Sequence, residues 1–266
     1  MCVQLMVSDI SKNYYVSGIS PIISVNGKQN AVSGGNLRKD TFECTSLNRY
    51  TSKQALNKMI AANPKIAAVM KNIPLVLNME DFNTLMQGHA KNTKNTAKGI
   101  IDNLPFALKT RVDEKAVLDA AYLHDIGKVL IPREILNKTG KLDKEELEIM
   151  QKHSELGYEM LKTTNIDKKT LALIRNHHKN GKNSGYPFAN KNFKTDLNLQ
   201  ILSTADKYSA LTEKRAYKDR LSPKEALAVI MSEAKEEKLH PAVFNALVNY
   251  ARKSAAENMI TPHAEV

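Results

Sequence analysis

The chain has 266 residues, of which 42% are apolar and 25% are charged, a composition typical of a folded globular protein. Its longest apolar runs, such as 73–77, are far shorter than the roughly 20 residues of a membrane-spanning helix. The first residues lack the pattern of a signal peptide, and two cysteines are too few for a disulfide framework. We therefore predict a cytoplasmic protein that has no membrane partner.

The net charge of +11 predicts attraction to anions such as nucleotides, nucleic acid or acidic lipid head groups. The alternative is that the lysines only form solvated helix faces. No single basic block stands out, and no array of aromatic residues accompanies the charge as single-strand binding would require. We therefore expect no sequence-specific nucleic-acid partner.

The first part of the chain, residues 1–78, has a mixed pattern. An Asn-Gly pair at 26–27 lies between two short β-branched runs and predicts a hairpin. Two short helices are predicted after it, over 51–63 and 64–72. These features indicate a small mixed α/β domain, regulatory or dimerising, for which the sequence indicates no chemistry.

The remainder, residues 79–266, has helical periodicity almost throughout. We predict a mainly α fold for the chain, with a helical bundle of about five core helices plus C-terminal helices in this second domain. The predicted helices are 79–102, 113–127, 143–161, 167–178, 197–213, 222–237 and 240–256.

Histidines and aspartates lie on the apolar faces of five of these helices. On the first helix, for example, His89 shares a face with Phe82 and Met86. One such histidine is usually a hydrogen-bonded core residue, but an unpaired buried imidazole or carboxylate costs several kcal/mol. Divalent metal ions would satisfy the whole set, which comprises His89, His124, Asp125, His153, His177, His178 and Asp206.

The number and type of these side chains restrict the kind of metal site. A structural zinc needs four ligands, whereas seven are enough for two octahedral ions that share a bridging carboxylate. Imidazole and carboxylate without thiolate suit Fe, Mn, Ni, Co or Zn, and the spacing does not choose among them.

Three motifs carry a resemblance to a known family. They are "LHDIGKVLIPREILNKTGKLDKEELEIMQKHSELGYEML", "HH" followed by "GYP", and "ILSTADKYSALTEKRAYK". Together they resemble the HD-GYP subfamily of the HD superfamily of metal-dependent phosphohydrolases, over about residues 85–235. The resemblance implies a helical HD-type fold and hydrolysis of cyclic di-GMP.

The resemblance also implies roles for individual residues. One metal would be held by His89, His124, Asp125 and Asp206, and a second by His153, His177 and His178, with Asp125 bridging the two. Fe is the expected metal and Mn the next, and the pair would activate a bridging water. The catalytic residues would be Asp125 and Lys128. The substrate would be bound by Lys128, Tyr186, Lys182, Arg215 and Lys218.

The chain also departs from the family pattern. The loop before Gly-Tyr-Pro has substitutions at four positions where the family has Glu, Arg, Asp and Gly, namely Lys179, Asn180, Lys182 and Asn183. Ser209 stands where the family has an Asp. Leu85 stands where relatives with three metals have a Glu, which favours a binuclear site.

These departures leave three hypotheses open. The chain is an active phosphodiesterase for cyclic di-GMP or a related cyclic dinucleotide, a catalytically weak receptor or interaction module, or an HD hydrolase of another nucleotide. In the last case Gly185 and Pro187 would form an ordinary turn. The orientation of Tyr186 toward or away from the metals distinguishes this last case from the others. A homodimer or a signalling protein partner is also possible.

Overall fold

A computed structural model describes residues 47–187, 194–213 and 220–260, with side chains as far as residue 256. All described residues belong to one unit, Glu43–Val266. The hairpin predicted at 26–27 lies outside the described residues.

The described part is helical and contains no strand, so the prediction of a mainly α protein is confirmed. Short 3₁₀ helices at Asn48–Tyr50 and Ile126–Leu130 and a π-helical turn at Met86–Ala90 accompany the α-helices. The α-helices are α1 Lys53–Ala62, α2 Lys65–Met70, α3 Met79–Leu85, α4 Lys91–Asp102, α5 Phe106–Lys109, α6 Glu114–Leu123, α7 Arg133–Leu136, α8 Lys144–Gln151, α9 His153–Leu161, α10 Lys168–Asn176, α11 Leu197–Thr212, α12 Pro223–Lys235 and α13 Pro241–Ile260.

The two short helices predicted before residue 78 are present as α1 and α2. The Ser52 side chain accepts a hydrogen bond from the Ala55 amide and begins α1. Apolar side chains of both helices, including Leu56 and Ile66, join the buried core of this unit. Residues 47–78 therefore pack with the helical unit. The domain boundary near 78 stays a prediction.

Several predicted helices end or break where ligand-type residues lie. The first continues from α3 through the π turn, which contains His89, into α4. The predicted helix 113–127 ends at Leu123, and His124 and Asp125 lie between α6 and a 3₁₀ turn. The predicted helix 143–161 is wrong as a single element. It breaks before His153, whose Nδ1 lies 2.7 Å from the Met150 carbonyl.

A close backbone approach sets the position of Asp125 relative to α9. A Cβ added at Gly127 would lie 2.0 Å from the His153 carbonyl oxygen and 2.7 Å from the Gly157 amide nitrogen. Only glycine fits here, because any side chain would force the 3₁₀ turn away from α9. This contact brings the His-Asp pair next to His153.

None of the helices in the described ranges is both long and apolar enough to cross a membrane.

Candidate metal centre

All seven predicted ligand-type residues converge in the interior of the helical unit. Three overlapping sets have their ligand atoms within 4.8 Å of one another: His153, His177 and His178; His89, His124 and Asp206; and His124, Asp125 and His177. We call the seven residues the ligand cluster. Five of them are fully or almost fully buried, and His178 and Asp206 are partly buried.

Asp125 lies at the centre of the ligand cluster, and its two oxygens face different histidines. Its Oδ2 lies 3.3 Å from His124 Nε2 and 3.7 Å from His89 Nε2. Its Oδ1 lies 3.3 Å from His153 Nε2 and 4.0 Å from His177 Nε2. One carboxylate thus lies between two groups of imidazoles, one that includes His89 and His124 and one that includes His153 and His177.

The second group consists of three imidazoles whose nitrogens meet at one point. His153 Nε2 lies 3.2 Å from His177 Nε2 and 3.1 Å from His178 Nε2. A common cation would accept lone pairs from all three rings, and imidazole is a usual ligand of first-row divalent metals.

Hydrogen bonds on the outer side of the rings fix their tautomers. The Nδ1 atoms of His124, His153 and His177 lie 2.7–2.9 Å from the carbonyl oxygens of the residues three positions earlier. A carbonyl only accepts, so each Nδ1 carries a proton, and a ring that is neutral has its lone pair on Nε2. These lone pairs face inward, as metal ligation requires.

His89 is held in a different way, by side chains of α11 and of the residue that follows it. Its Nε2 lies 3.0 Å from Asp206 Oδ1, and its Nδ1 lies 2.9 Å from Glu213 Oε2. The Asn92 amide donates to Glu213 Oε1 at 2.7 Å. Glu213 is not among the site residues predicted from the sequence. The feature of the sequence that could have indicated Glu213 is its position two helical turns after Asp206, on the same predicted helix.

Unpartnered atoms within the ligand cluster provide a test of whether the residues fit a metal. Among the described residues, His124 Nε2 and Asp125 Oδ1 are buried polar atoms without a hydrogen-bond partner. Leaving such an atom unpaired costs about 1–3 kcal/mol. Coordination to a cation would satisfy both, and the imidazole and carboxylate donor set suits a divalent first-row ion. The residues present therefore fit the implied metals.

The electrostatics of the second group favour neutral imidazoles. Burial lowers the pKa of His153 to about 4 and that of His178 to about 3. It also lowers the pKa of His177 well below its ordinary value. All three rings are therefore neutral near pH 7 and keep the lone pairs that coordinate a metal.

The carboxylates of Asp125 and Asp206, which lie beside His89 and His124, require positive charge next to them. Burial alone would raise the pKa values of Asp125 and Asp206, but neighbouring His124 holds both well below their usual range. Burial alone would lower the pKa of His124, but the two carboxylates outweigh it and raise that pKa to about 10. A divalent cation between these side chains would supply the same charge in place of the proton on His124.

Lys128 and Tyr186 adjoin the ligand cluster. Lys128 Nζ lies 2.7 Å from Asp125 Oδ2.

The Tyr186 ring centroid lies 4.3 Å from that of His178 and 6.1 Å from that of His153. Burial raises the pKa of the Tyr186 hydroxyl, which therefore stays a hydrogen-bond donor at neutral pH. Tyr186 thus faces the second group of imidazoles.

Among the other predicted substrate residues, Lys182 lies outside the ligand cluster. Lys182 Nζ lies 3.7 Å from Glu237 Oε2 in a pair at the protein surface. Arg215 and Lys218 lie outside the described residues. The Ser209 hydroxyl lies 3.3 Å from that of Thr96, so the position where the family has an Asp takes part in a buried hydroxyl pair.

The loop 179–185 satisfies many of its own polar groups. Asn180 Oδ1 accepts from the amides of Lys182 and Ser184 at 3.0 and 3.2 Å, and its Nδ2 donates to Ser184 Oγ at 2.6 Å. Gly185 has a φ of 105°, which non-glycine residues rarely adopt. The loop is therefore a closed turn with Lys179 buried at its base.

Comparisons with known proteins agree with this geometry. The sequence model of the HD domain family matches residues 77–243. A 3'3'-cGAMP-specific phosphodiesterase 2 of Vibrio cholerae is 42% identical over 108 residues, which cover 39% of this chain and 20% of that protein. The cyclic di-GMP phosphodiesterase response regulator RpfG of Xanthomonas campestris is 36% identical over 117 residues, which cover 43% and 31%. The matches thus span about a fifth and a third of these relatives.

A solved structure shows a similar fold. Bd1817, an HDG"Y"P protein from Bdellovibrio bacteriovorus, superposes with a TM-score of 0.50 at 16% identity, over 82% of this chain and 65% of that chain. The family match covers well over half of the 266 residues. The chain therefore belongs to the HD domain family, and its resemblance to the HD-GYP type is confirmed.

Proposed function

We propose that the chain is a metal-dependent phosphodiesterase that hydrolyses cyclic di-GMP or a related cyclic dinucleotide at a binuclear site. The position of Asp125 carries the proposal, because its two oxygens face separate sets of imidazoles. A structural ion would need only one such set. The names of the relatives support a cyclic dinucleotide as the class of substrate.

Each set of side chains would hold one divalent ion, with Fe expected first and Mn next. The first ion would be held by His89, His124, Asp125 and Asp206, and the second by His153, His177 and His178, with Asp125 shared. When bound, such a pair neutralises phosphate charge and supplies a nucleophile from water at neutral pH. The neutral state of the second group favours this assignment.

The chain's own residues would position the phosphodiester beside the ligand cluster. Lys128 contacts Asp125 with one of its three donors, and the other N–H groups can bind a phosphoryl oxygen. This positive charge would stabilise the charge that develops on the phosphate. Asp125 would bridge the ions and also hold Lys128 in place.

Tyr186 would bind the substrate from the side of the second group. Its ring packs against His178, and its hydroxyl remains a donor. This orientation favours a substrate-binding role and makes hydrolysis of an unrelated nucleotide the weaker alternative. The substrate roles of Arg215, Lys218 and Lys182 remain part of the proposal. Lys182 would first leave Glu237, and such exposed pairs contribute only about 0–1 kcal/mol.

A receptor that binds the nucleotide without hydrolysing it is the second candidate. The loop 179–185 favours this alternative, because Asn180 holds it as a closed turn with polar groups bonded internally. A regulatory or dimerising role for the segment before residue 79 also remains a proposal.

One assay separates these functions. Purified protein would be loaded anaerobically with Fe(II) or Mn(II) and incubated with cyclic di-GMP, 3',3'-cGAMP and nucleotide monoesters. We expect opening of a cyclic dinucleotide and no release of phosphate from monoesters. Binding of the cyclic dinucleotide without turnover would favour the receptor, and release of phosphate from monoesters alone would favour another HD hydrolase.

A further inference from the structure

Glu213, the residue that follows α11, makes one hydrogen-bonded contact with His89 and another with Asn92. Its Oε2 lies 2.9 Å from His89 Nδ1, and its Oε1 accepts from Asn92 Nδ2 at 2.7 Å. The His89 side chain is only 6% exposed and that of Glu213 is 19% exposed. This contact therefore lies at the edge of the buried site, on the side of His89 away from Asp206.

His89 differs from the other histidines whose outer nitrogen is described. His124, His153 and His177 each place Nδ1 against a backbone carbonyl of their own helix segment. His89 lies in the π turn Met86–Ala90, and its Nδ1 meets a side-chain carboxylate from a different helix. The outer nitrogen of this ring is therefore held by one distant side chain rather than by the backbone.

Both nitrogens of His89 contact carboxylates contributed by one segment. Asp206 on α11 meets Nε2 at 3.0 Å, and Glu213, the residue that ends α11, meets Nδ1 at 2.9 Å. Ser209 lies between them and pairs with Thr96 instead. Position 209 therefore has no carboxylate, and Glu213, one helical turn later, contacts the His89 imidazole.

We propose that Glu213 is a positioning residue that holds His89 for the first metal, and that Asn92 holds Glu213. A carboxylate on the outer nitrogen of a metal-binding histidine fixes its tautomer and ring orientation and makes the inner nitrogen a stronger ligand. This inference rests on the proposed function, because it requires that the ligand cluster binds divalent ions.

Metal titration of the full-length apoprotein with Mn(II) tests the inference. Glu213→Ala should weaken one of two binding sites by about 10–100-fold, the usual effect of losing such a partner, and should leave the other unchanged. Glu213→Gln keeps an acceptor for Nδ1–H and should restore most of the affinity. Asn92→Ala should cause a smaller loss at the same site. Glu134→Ala, which removes an exposed carboxylate on α7, is the matched control.

A spectroscopic measurement separates positioning from a general structural role. In ¹⁵N-labelled protein loaded with diamagnetic Zn(II), the Nδ1–H of His89 should be detected in wild type and in Glu213→Gln, and lost in Glu213→Ala. Two normal metal sites in Glu213→Ala would overturn the inference. Equal weakening of both sites together with a lower melting temperature would also overturn it, because Glu213 would then only hold the helices together. Wild-type protein that binds no divalent ion would instead refute the proposed function itself.

Discussion

His177 and His178 of the ligand cluster directly precede the loop 179–185 in the sequence. The polar groups of the ligand cluster and of the loop are nevertheless satisfied in different ways. In the ligand cluster, imidazole and carboxylate atoms face one another, and His124 Nε2 and Asp125 Oδ1 have no hydrogen-bond partner among the described residues. In the loop, Asn180 bonds to Lys182 and Ser184, and the Gly181 amide bonds to the Lys238 carbonyl at 2.6 Å. The ligand cluster is therefore suited to bind a cation, whereas most of these hydrogen bonds of the loop are made within the loop itself.

The difference indicates that substitutions in the two regions act by different means. A change in the ligand cluster would remove a proposed metal ligand or a charge that the proposed ions need. A change in the loop alters the shape of the surface beside Tyr186. Metal content and substrate affinity should therefore respond separately.

The largest effect is expected from Asp125→Asn. This variant keeps the side-chain volume but removes the charge and the oxygen pair that face both groups of histidines. Changes to residues that only support a ligand cost about 10–100-fold, so loss of the bridging ligand should weaken both metal sites by more than about 100-fold and abolish hydrolysis. Metal stoichiometry and turnover are the measurements.

His240→Ser is the matched control for Asp125→Asn. His240 is exposed, lies outside the ligand cluster, and precedes α13 at a position where Ser also begins helices well. The control should keep two ions and normal turnover. One fully retained ion in Asp125→Asn would contradict a shared carboxylate.

Lys128→Gln should separate binding of the metals from catalysis. The amide can still donate to Asp125, but it cannot supply positive charge to the phosphate. We expect both ions to remain and kcat to fall on the order of 100-fold, a usual cost of losing one stabilising donor in the transition state. Lys141→Gln changes an exposed lysine and is the control. Unchanged kcat would exclude Lys128 from catalysis.

Gly127→Ala tests the scaffold that brings the ligand cluster together. The new Cβ would lie 2.0 Å from the His153 carbonyl oxygen, so the 3₁₀ turn and α9 must separate. We expect the free energy of unfolding to fall by at least about 1–3 kcal/mol, as for an overpacked core. Gly140→Ala, where nothing lies within 4 Å of the added Cβ, should be neutral in the same denaturant titration. Equal stability of the two variants would show that the close approach is unimportant.

The smallest effects are expected in the loop. Asn180→Ala removes three hydrogen bonds of the turn, each worth about 0.5–1.5 kcal/mol, and should raise KM while both ions remain bound. Lys182→Ala leaves that turn intact and removes one solvent-exposed charge that would reach the substrate after leaving Glu237, so its KM should rise less than about fivefold. A larger rise in KM for Lys182→Ala than for Asn180→Ala would show that the charge of Lys182 matters more for substrate binding than the shape of the turn.

The sequence by itself determined the helical class, most helix positions and the seven residues of the ligand cluster. These features are local, because apolar periodicity defines each helix face and a histidine or aspartate on such a face is visible without knowing its neighbours. The HD and Gly-Tyr-Pro motifs predicted the family, because short sequence motifs can be compared with those of a known family without knowledge of the structure.

The tertiary structure decided which atoms meet. It alone placed Glu213 against His89, turned the two oxygens of Asp125 toward different histidines, and paired Lys182 with Glu237 at the surface. It also placed His124, Asp125 and His177 at the ends of helices, where the predicted elements ran on. These contacts join residues far apart in the chain, and helix periodicity contains no information about which faces will pack together.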